Sequence, residues 1–180
     1  MVELITSPWD SEFESLMRQA EASLIICSPY IGDAPCLRLT TLIDVQRRQQ
    51  LSLSILTNLY RENMLSRATD VTGLIRLCEA LPNTEIRFLP NVHAKIYVVD
   101  QHSAVVTSAN LTQSGLRRNL EYGVRITDRV LVQNVRKDAI SFHSMGAVVD
   151  LQQLRKFEAI VADLSELQKQ AQKSIRSSLR

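Results

Sequence analysis

Stretches in which nearly every position is apolar alternate along this chain with stretches in which apolar residues return every three or four positions. "ASLIICSPY" (22–30) and "LSLSILTN" (51–58) have the first pattern and predict buried strands. Each follows a helical pattern, "SEFESLMRQAE" (11–21) and "CLRLTTLIDVQRRQQ" (36–50). "VTGLIRLCEAL" (71–81) predicts another helix, leading into a short strand, "TEIRFLP" (84–90). "NVHAKIYVVD" (91–100), a turn at "DQHS" and "AVVTSA" (104–109) predict a hairpin. "YGVRITD" (122–128) is a further strand, and "RVLVQNVRKDAISFHSM" (129–145) a helix. Alternating strands and helices, with several strands apolar on both faces, predict an α/β domain: a mixed β-sheet flanked by helices on both faces.

From Asp150 onward the pattern changes. Leu151, Leu154, Phe157, Val161, Leu164, Leu167, Ala171, Ile175 and Leu179 form a stripe of about 3.5 residues per step, the period of a coiled-coil seam. The chain therefore divides into residues 1–149, a catalytic-sized domain, and 150–180, a C-terminal amphipathic helix. That helix packs either on its own domain or against a second chain.

Composition narrows the classes. The 180 residues are enough for one domain with a real core. The content is 45% hydrophobic and 22% charged, with a net charge of +2, which permits a polyanionic partner without requiring one. "MVELITSPWDSEF" lacks a basic segment followed by an apolar run, and no segment is long and apolar enough to span a bilayer. Cys27, Cys36 and Cys78 are odd in number and form no CxxC pair, so reduced thiols in a cytoplasmic protein are expected, without a zinc site.

One strand carries unexpected chemistry. In "NVHAKIYVVD", Val92, Ala94, Ile96 and Val98 share one face, while His93 and Lys95 share the other. Asp100 completes an H-x-K-x4-D spacing, followed by Ser108 and Asn110 in "VVTSANLTQSG" and Glu121 in "RRNLEYGV". The hairpin would bring Ser108 and Asn110 beside His93, with Glu121 at the start of the next strand. Each residue alone has an ordinary explanation in a core, a turn or an edge strand. An imidazole and an ammonium placed together in so apolar a strand do not. These residue types suit attack on a phosphodiester. A neutral imidazole is a competent nucleophile near neutral pH. A carboxylate such as Glu121 would orient it, and Lys95, Ser108 and Asn110 would donate to the phosphate oxygens. A Ser108–His93–Asp100 triad lacks a G-x-S-x-G elbow and leaves Lys95 unexplained. A metal site is disfavoured because an ammonium would repel the ion, and no carboxylate cluster for magnesium is evident. No cofactor is expected.

"VHAKIYVVD" with "TSANLTQSGLRRNLEYGV" resembles the phospholipase D superfamily, whose signature is H-x-K-x4-D followed by G-[ST] and an Asn two residues after the Ser. "CSPYIGD" is similar to the family's early strand and loop, and the likeness covers roughly Ser28 to Thr127. It departs at Thr107, where the family usually has Gly. The resemblance implies His93 as nucleophile, Lys95, Ser108 and Asn110 on phosphate, Glu121 orienting the imidazole, and Asp100 as a structural anchor. The mechanism needs a second acid and base. His102 lies in a turn and His143 in a helix, and neither has a Lys two residues on. One motif in one chain therefore implies a homodimer sharing one active site. The small single-motif members resemble endonucleases, so the implied substrate is nucleic acid, with Arg117, Arg118 and Arg125 as candidate phosphate contacts. Arg87 and Arg129 also flank the site. The implied activity is metal-independent hydrolysis of DNA or RNA, alone or within a larger defence or repair system. The alternatives are a phospholipid phosphodiesterase or phosphatidyl-transferase, and a catalytically silent nucleic-acid-binding module.

Overall fold

A computed structural model describes residues 1–178 of the chain. Eight strands form one sheet: β1 (Val2–Thr6), β2 (Ser23–Cys27), β3 (Ser52–Thr57), β4 (Thr84–Phe88), β5 (Ile96–Val99), β6 (Ser103–Thr107), β7 (Tyr122–Ile126) and β8 (Ala147–Val149). Their order across the sheet is β1-β7-β6-β5-β2-β3-β4-β8. β2, β3 and β4 run parallel, and every other neighbour is antiparallel. The sheet is mixed because crossover helices join the three parallel strands, whereas a short turn joins β5 to β6.

The helices are α1 (Asp10–Arg18), α2 (Asp33–Leu42), α3 (Arg61–Leu65), α4 (Val71–Ala80), α5 (Gln113–Arg117), α6 (Arg129–Met145) and α7 (Leu151–Ser178). Several begin where capping residues take up free backbone N–H groups. Asp70 accepts from Thr72 at 3.0 Å, and Asp128 from Val130 and Leu131, both at 3.1 Å. The helix expected over 36–50 ends at Leu42, and turns fill the remainder. There the Arg48 guanidinium donates to the carbonyls of Thr40 (2.6 Å) and Ile43 (3.3 Å), serving the helix end that a further turn would have served.

Strand alternation splits the core. Leu24 and Ile26 of β2, with Tyr97 and Val99 of β5, face α1, α2 and α4 through Phe13, Leu16, Leu39, Leu74 and Leu77. Ile25, Cys27, Ile96, Val98 and Ala104 face α6 through Val132 and Ala139. Val92 and Ala94 belong to the second group, so the expected alternation continues upstream of the ladder. The expected strand over 91–100 is nevertheless shorter, because the β2 ladder ends at the Cys27–Ile96 pair and leaves residues 92–95 beyond it. His93 and Lys95 thus occupy the lead-in to β5.

Helix α7 joins the first core through buried Leu154, with Leu151, Phe157 and Val161 packed beside it. Farther along its stripe Leu167 is 58% exposed and Ile175 is exposed too, while Leu179 lies outside the described residues. The short strands β1 and β8 were not apparent in the sequence.

Candidate active site

The site forms at the sheet edge where β2 and β6 end and β5 and β7 begin. His93 is exposed on the lead-in to β5. Lys95 is only 8% exposed, held by a main-chain bond from Thr107 N–H to its carbonyl (3.1 Å). Its ammonium lies 3.1 Å from Nε2 and 3.4 Å from Nδ1 of His93. The ammonium can donate to whichever ring nitrogen carries no proton. Burial lowers the Lys95 pKa from its ordinary value, and the charge of Glu121 opposes that shift.

Asn110 arrives by way of the core. Tyr97, Trp9 and Phe13 pack edge to face, with ring centroids 5.1–6.3 Å apart. The polar ends of two of them hold the loop after β6. Tyr97 Oη donates to the Ala109 carbonyl and Trp9 Nε1 to that of Gly115, each at 3.1 Å. A Cβ on Gly115 would lie 2.4 Å from the Asn110 carbonyl oxygen, so only glycine allows this loop to close. The Asn110 side-chain oxygen accepts weakly from Tyr30 N–H at 3.4 Å, while Ser28 Oγ beside it gives its one proton to the Tyr30 carbonyl at 2.7 Å. With Oδ1 so engaged, the Nδ2 amide is the group left to donate.

Glu121 is fixed by neighbours on three segments. Ser108 Oγ makes a short bond to one of its carboxylate oxygens, and Asn119 Nδ2 donates to the other at 3.0 Å. Its own N–H donates to Ser7 Oγ at 2.6 Å. Ser108 Oγ also accepts from Tyr122 N–H (3.1 Å), so its hydroxyl proton goes to Glu121 in this arrangement. Among the described residues no hydrogen bond joins Glu121 to His93. Thr107 packs against Gly123, where a Cβ would come within 2.6 Å of the Thr107 Cβ; a side chain at 107 is accommodated because 123 has none.

Asp100 lies at the far end of β5 from His93. It adopts a positive φ of 51°, and its carboxylate accepts from the N–H groups of Glu21 (3.0 Å), Ala22 (2.9 Å) and Ser23 (2.6 Å). Burial would raise its pKa, but these backbone donors prevail and hold it below the usual carboxylate value. Cys27 ends β2 beside Ser28, yet burial pushes its thiol up to about 12, which leaves no thiolate for chemistry. His102 stands by Asp100 at the distal turn, and His143 is buried on α6.

The arginines differ in availability. Arg125 pairs with Glu12 at 2.7 Å, and Arg87 with Glu85 at 2.5 Å and with the carbonyls of Ser144 and Gly146. Arg117 is half-exposed and reaches Asp10 at 3.1 Å. Arg118 is exposed and its side chain bonds Ser114 Oγ at 3.0 Å. Of the partners that position the site, Ser28 and Tyr30 lie in the recognised "CSPYIGD" loop and Asn119 lies two residues from Glu121. Ser7, 114 residues from its partner, carries no local signal. Among the described residues no group of three or more His, Cys, Asp or Glu is placed to hold a metal, and no helix is long and apolar enough to cross a membrane.

This fold and this cluster define a phospholipase D-like domain. The chain belongs to that family: the family model described as cardiolipin synthase, PLD-like domain, matches residues 13–142. Among solved structures, it is similar to Nuc, a phospholipase D family member from Salmonella typhimurium (16% identity, TM-score 0.67, 83% of this chain and 97% of that one). It is also similar to NucT from Helicobacter pylori (15% identity, TM-score 0.66, 83% and 99%). A third likeness is to phosphatidylserine synthase from Haemophilus influenzae Rd KW20 (17% identity, TM-score 0.68, 99% of this chain but 46% of that one). At these identities the likeness is one of fold. No curated protein matches the sequence significantly. Membership places the chain in a superfamily that acts on phosphodiester bonds.

Proposed function

We propose that this protein is a metal-independent nuclease that hydrolyses DNA or RNA through a phosphohistidine at a site shared by two chains. The observation that carries this reading is the His93–Lys95 contact beside an Asn110 carboxamide whose oxygen is engaged and whose amide is left to donate. In the first step a ring nitrogen of His93 uses its lone pair to form a bond to phosphorus. The bond from phosphorus to the leaving oxygen breaks, and an acid supplies that oxygen with a proton. Lys95 and Asn110 donate to the non-bridging oxygens as their charge grows. In the second step water attacks phosphorus and gives its proton to a base, the P–N bond breaks, and His93 is restored. Glu121, held by Ser108 and Asn119, supplies a carboxylate near Lys95 and, on substrate binding, an acceptor for the imidazole. Ser108 acts through Glu121 until substrate draws its hydroxyl away.

The described residues offer no second imidazole at this edge, so the acid and base come from the partner's His93. An apolar surface supports such a dimer. Residues paired across β1, β7 and β6 share a face (Leu4 with Val124, Val124 with Val106), and α6 covers it only in part: Val124 packs beside the second core, while Leu4 and Val106 stay exposed. Leu4 is 69% exposed there, Tyr122 56%, and Leu120 next to Glu121 99%. So large an apolar area beside a half-built site suits a second copy. The exposed tail of α7 offers a second contact.

The same apolar surface favours a lipid substrate as the runner-up. The two readings separate by assay. A nuclease cleaves labelled DNA or RNA in excess EDTA and loses activity as salt screens the phosphates, whereas a lipid enzyme ignores nucleic acid and rises steeply on phospholipid vesicles. Vesicle turnover without nucleic-acid cleavage would replace the nuclease reading. Binding without turnover of either substrate would make the protein a nucleic-acid-binding module.

A further inference from the structure

A groove of about 320 Å³ leads away from the site. Three segments line it: the loop from Tyr30 into α2, residues 66–68 after α3, and the start of α5 as far as Arg118. Its walls are continuations of the site's own loops. Tyr30, whose N–H reaches Asn110, is at one end, and Gly32 N–H donates to the carbonyl of Leu111 at 2.8 Å.

The charges in the groove are unbalanced. Arg67 and Arg118 are exposed; the Arg118 side chain touches a serine hydroxyl, and Arg67 forms no ion pair among the described residues. The one carboxylate lining the groove, Asp33, is engaged by Arg76 at 3.1 Å. Arg67 stands on the rim, between this groove and a hollow towards α7 that Asp70 and Glu158 also line. Its backbone has φ = 57°, in the left-handed region just past the end of α3, where glycine or asparagine is the favoured residue. An arginine there retains a cationic side chain against its backbone preference. Tyr30, 38% exposed, adds an aromatic side chain to the lining at the end nearest Asn110.

We infer that this groove carries the part of a single nucleic-acid strand that flanks the scissile phosphate. Arg67 and Arg118 hold backbone phosphates, and the Tyr30 ring stacks on a base between them and the site. This rests on the nuclease reading and adds a substrate class to it. A base reaches the ring only when it is unstacked from a duplex, so the groove selects single strands.

The test is binding by the full-length His93→Ala protein, which holds substrate without cleaving it, to a fluorescent oligonucleotide of about 12 nucleotides across a salt series. Adding Arg67→Gly and Arg118→Gln together is expected to weaken binding about tenfold and to flatten the log–log salt slope by about 1.4, because two phosphates of a single strand are then no longer neutralised. Tyr30→Leu weakens binding with the slope retained. Duplex of the same length binds more weakly than the single strand, and the arginine changes affect it less. Arg67→Gly relieves the left-handed backbone, so its melting temperature stays at or above that of the parent, and its loss of affinity is not a loss of fold. If the oligonucleotide binds but the arginine variants keep both affinity and slope, the groove assignment is overturned and the nuclease reading stands. If the variants instead lose binding only to phosphatidylglycerol vesicles, the groove belongs to a lipid headgroup and the inference falls. If His93→Ala binds no oligonucleotide at low salt and the wild type cleaves none, the groove and the nuclease reading fall together.

Discussion

Single residues in this protein divide between chemistry and scaffolding, and Asp100 shows how the two are told apart. It belongs to the same short spacing as His93 and Lys95, yet its carboxylate is spent on three backbone N–H groups at residues 21–23, at the other end of β5. Asp100→Asn keeps a residue that tolerates positive φ but removes the charge, and should destabilise the fold by about 2 kcal/mol at neutral pH. Because the folded-state pKa is lowered, this contribution is fully present above the unfolded value near 3.8 and is lost as pH falls through the lower folded value. Urea unfolding of the two proteins should therefore differ at about pH 6 and converge in strong acid. A difference that persists unchanged to about pH 2 would show that the charge is not responsible. That His93, Lys95, Ser108, Asn110 and Glu121 meet at one end of the sheet was legible in the sequence, because H-x-K precedes a short hairpin followed by Ser, Asn and Glu. What could not be read was how those groups are held. Ser108 turns to Glu121, the Asn110 side chain is held by Tyr30 N–H, and Ser7 supports Glu121 from 114 residues away.

Elements were legible where their periodicity is strong and long. The helix expected over 129–145 is α6 without change, and the strands within 22–30 and 51–58 appear as β2 and β3, because apolar patterning there agrees with burial on both faces. β1 and β8 escaped notice because they are edge strands of five and three residues, exposed for most of their length, and so lack the apolar signal of a buried strand. The lead-in at His93 read as strand because its alternation persists; what ends the ladder is the departure of β2, which no local pattern reports. α7 is a case in which one periodic stripe has two environments. Leu154→Ala, in the part packed on the core, should cost about 3 kcal/mol of stability. Leu167→Ala, in the exposed part, should leave the isolated subunit within about 0.5 kcal/mol of wild type. Chemical denaturation checks both. Equal losses would mean that the distal half is also packed, against another copy or another surface.

At the scale of the whole molecule, the fold places the candidate site beside a sheet face that α6 covers only in part. Leu4→Glu puts a charge on the exposed edge-strand part of that face, outside the residues proposed to touch phosphate, so it should shift the protein to monomer in analytical ultracentrifugation and lower turnover together with the dimer fraction. Full activity in a monomeric Leu4→Glu protein would remove the need for a partner's histidine. Whether His93 takes the phosphoryl group of a nucleic-acid substrate onto its own ring is read directly by rapid quenching of turnover on an end-labelled oligonucleotide in EDTA, followed by mass spectrometry of the digested protein. The expected result is a labelled phosphoramidate on the peptide that contains His93, stable to base, labile to acid and missing from His93→Ala; cleavage that continues in His93→Ala, or a label carried by any other residue, would rule out His93 as the nucleophile.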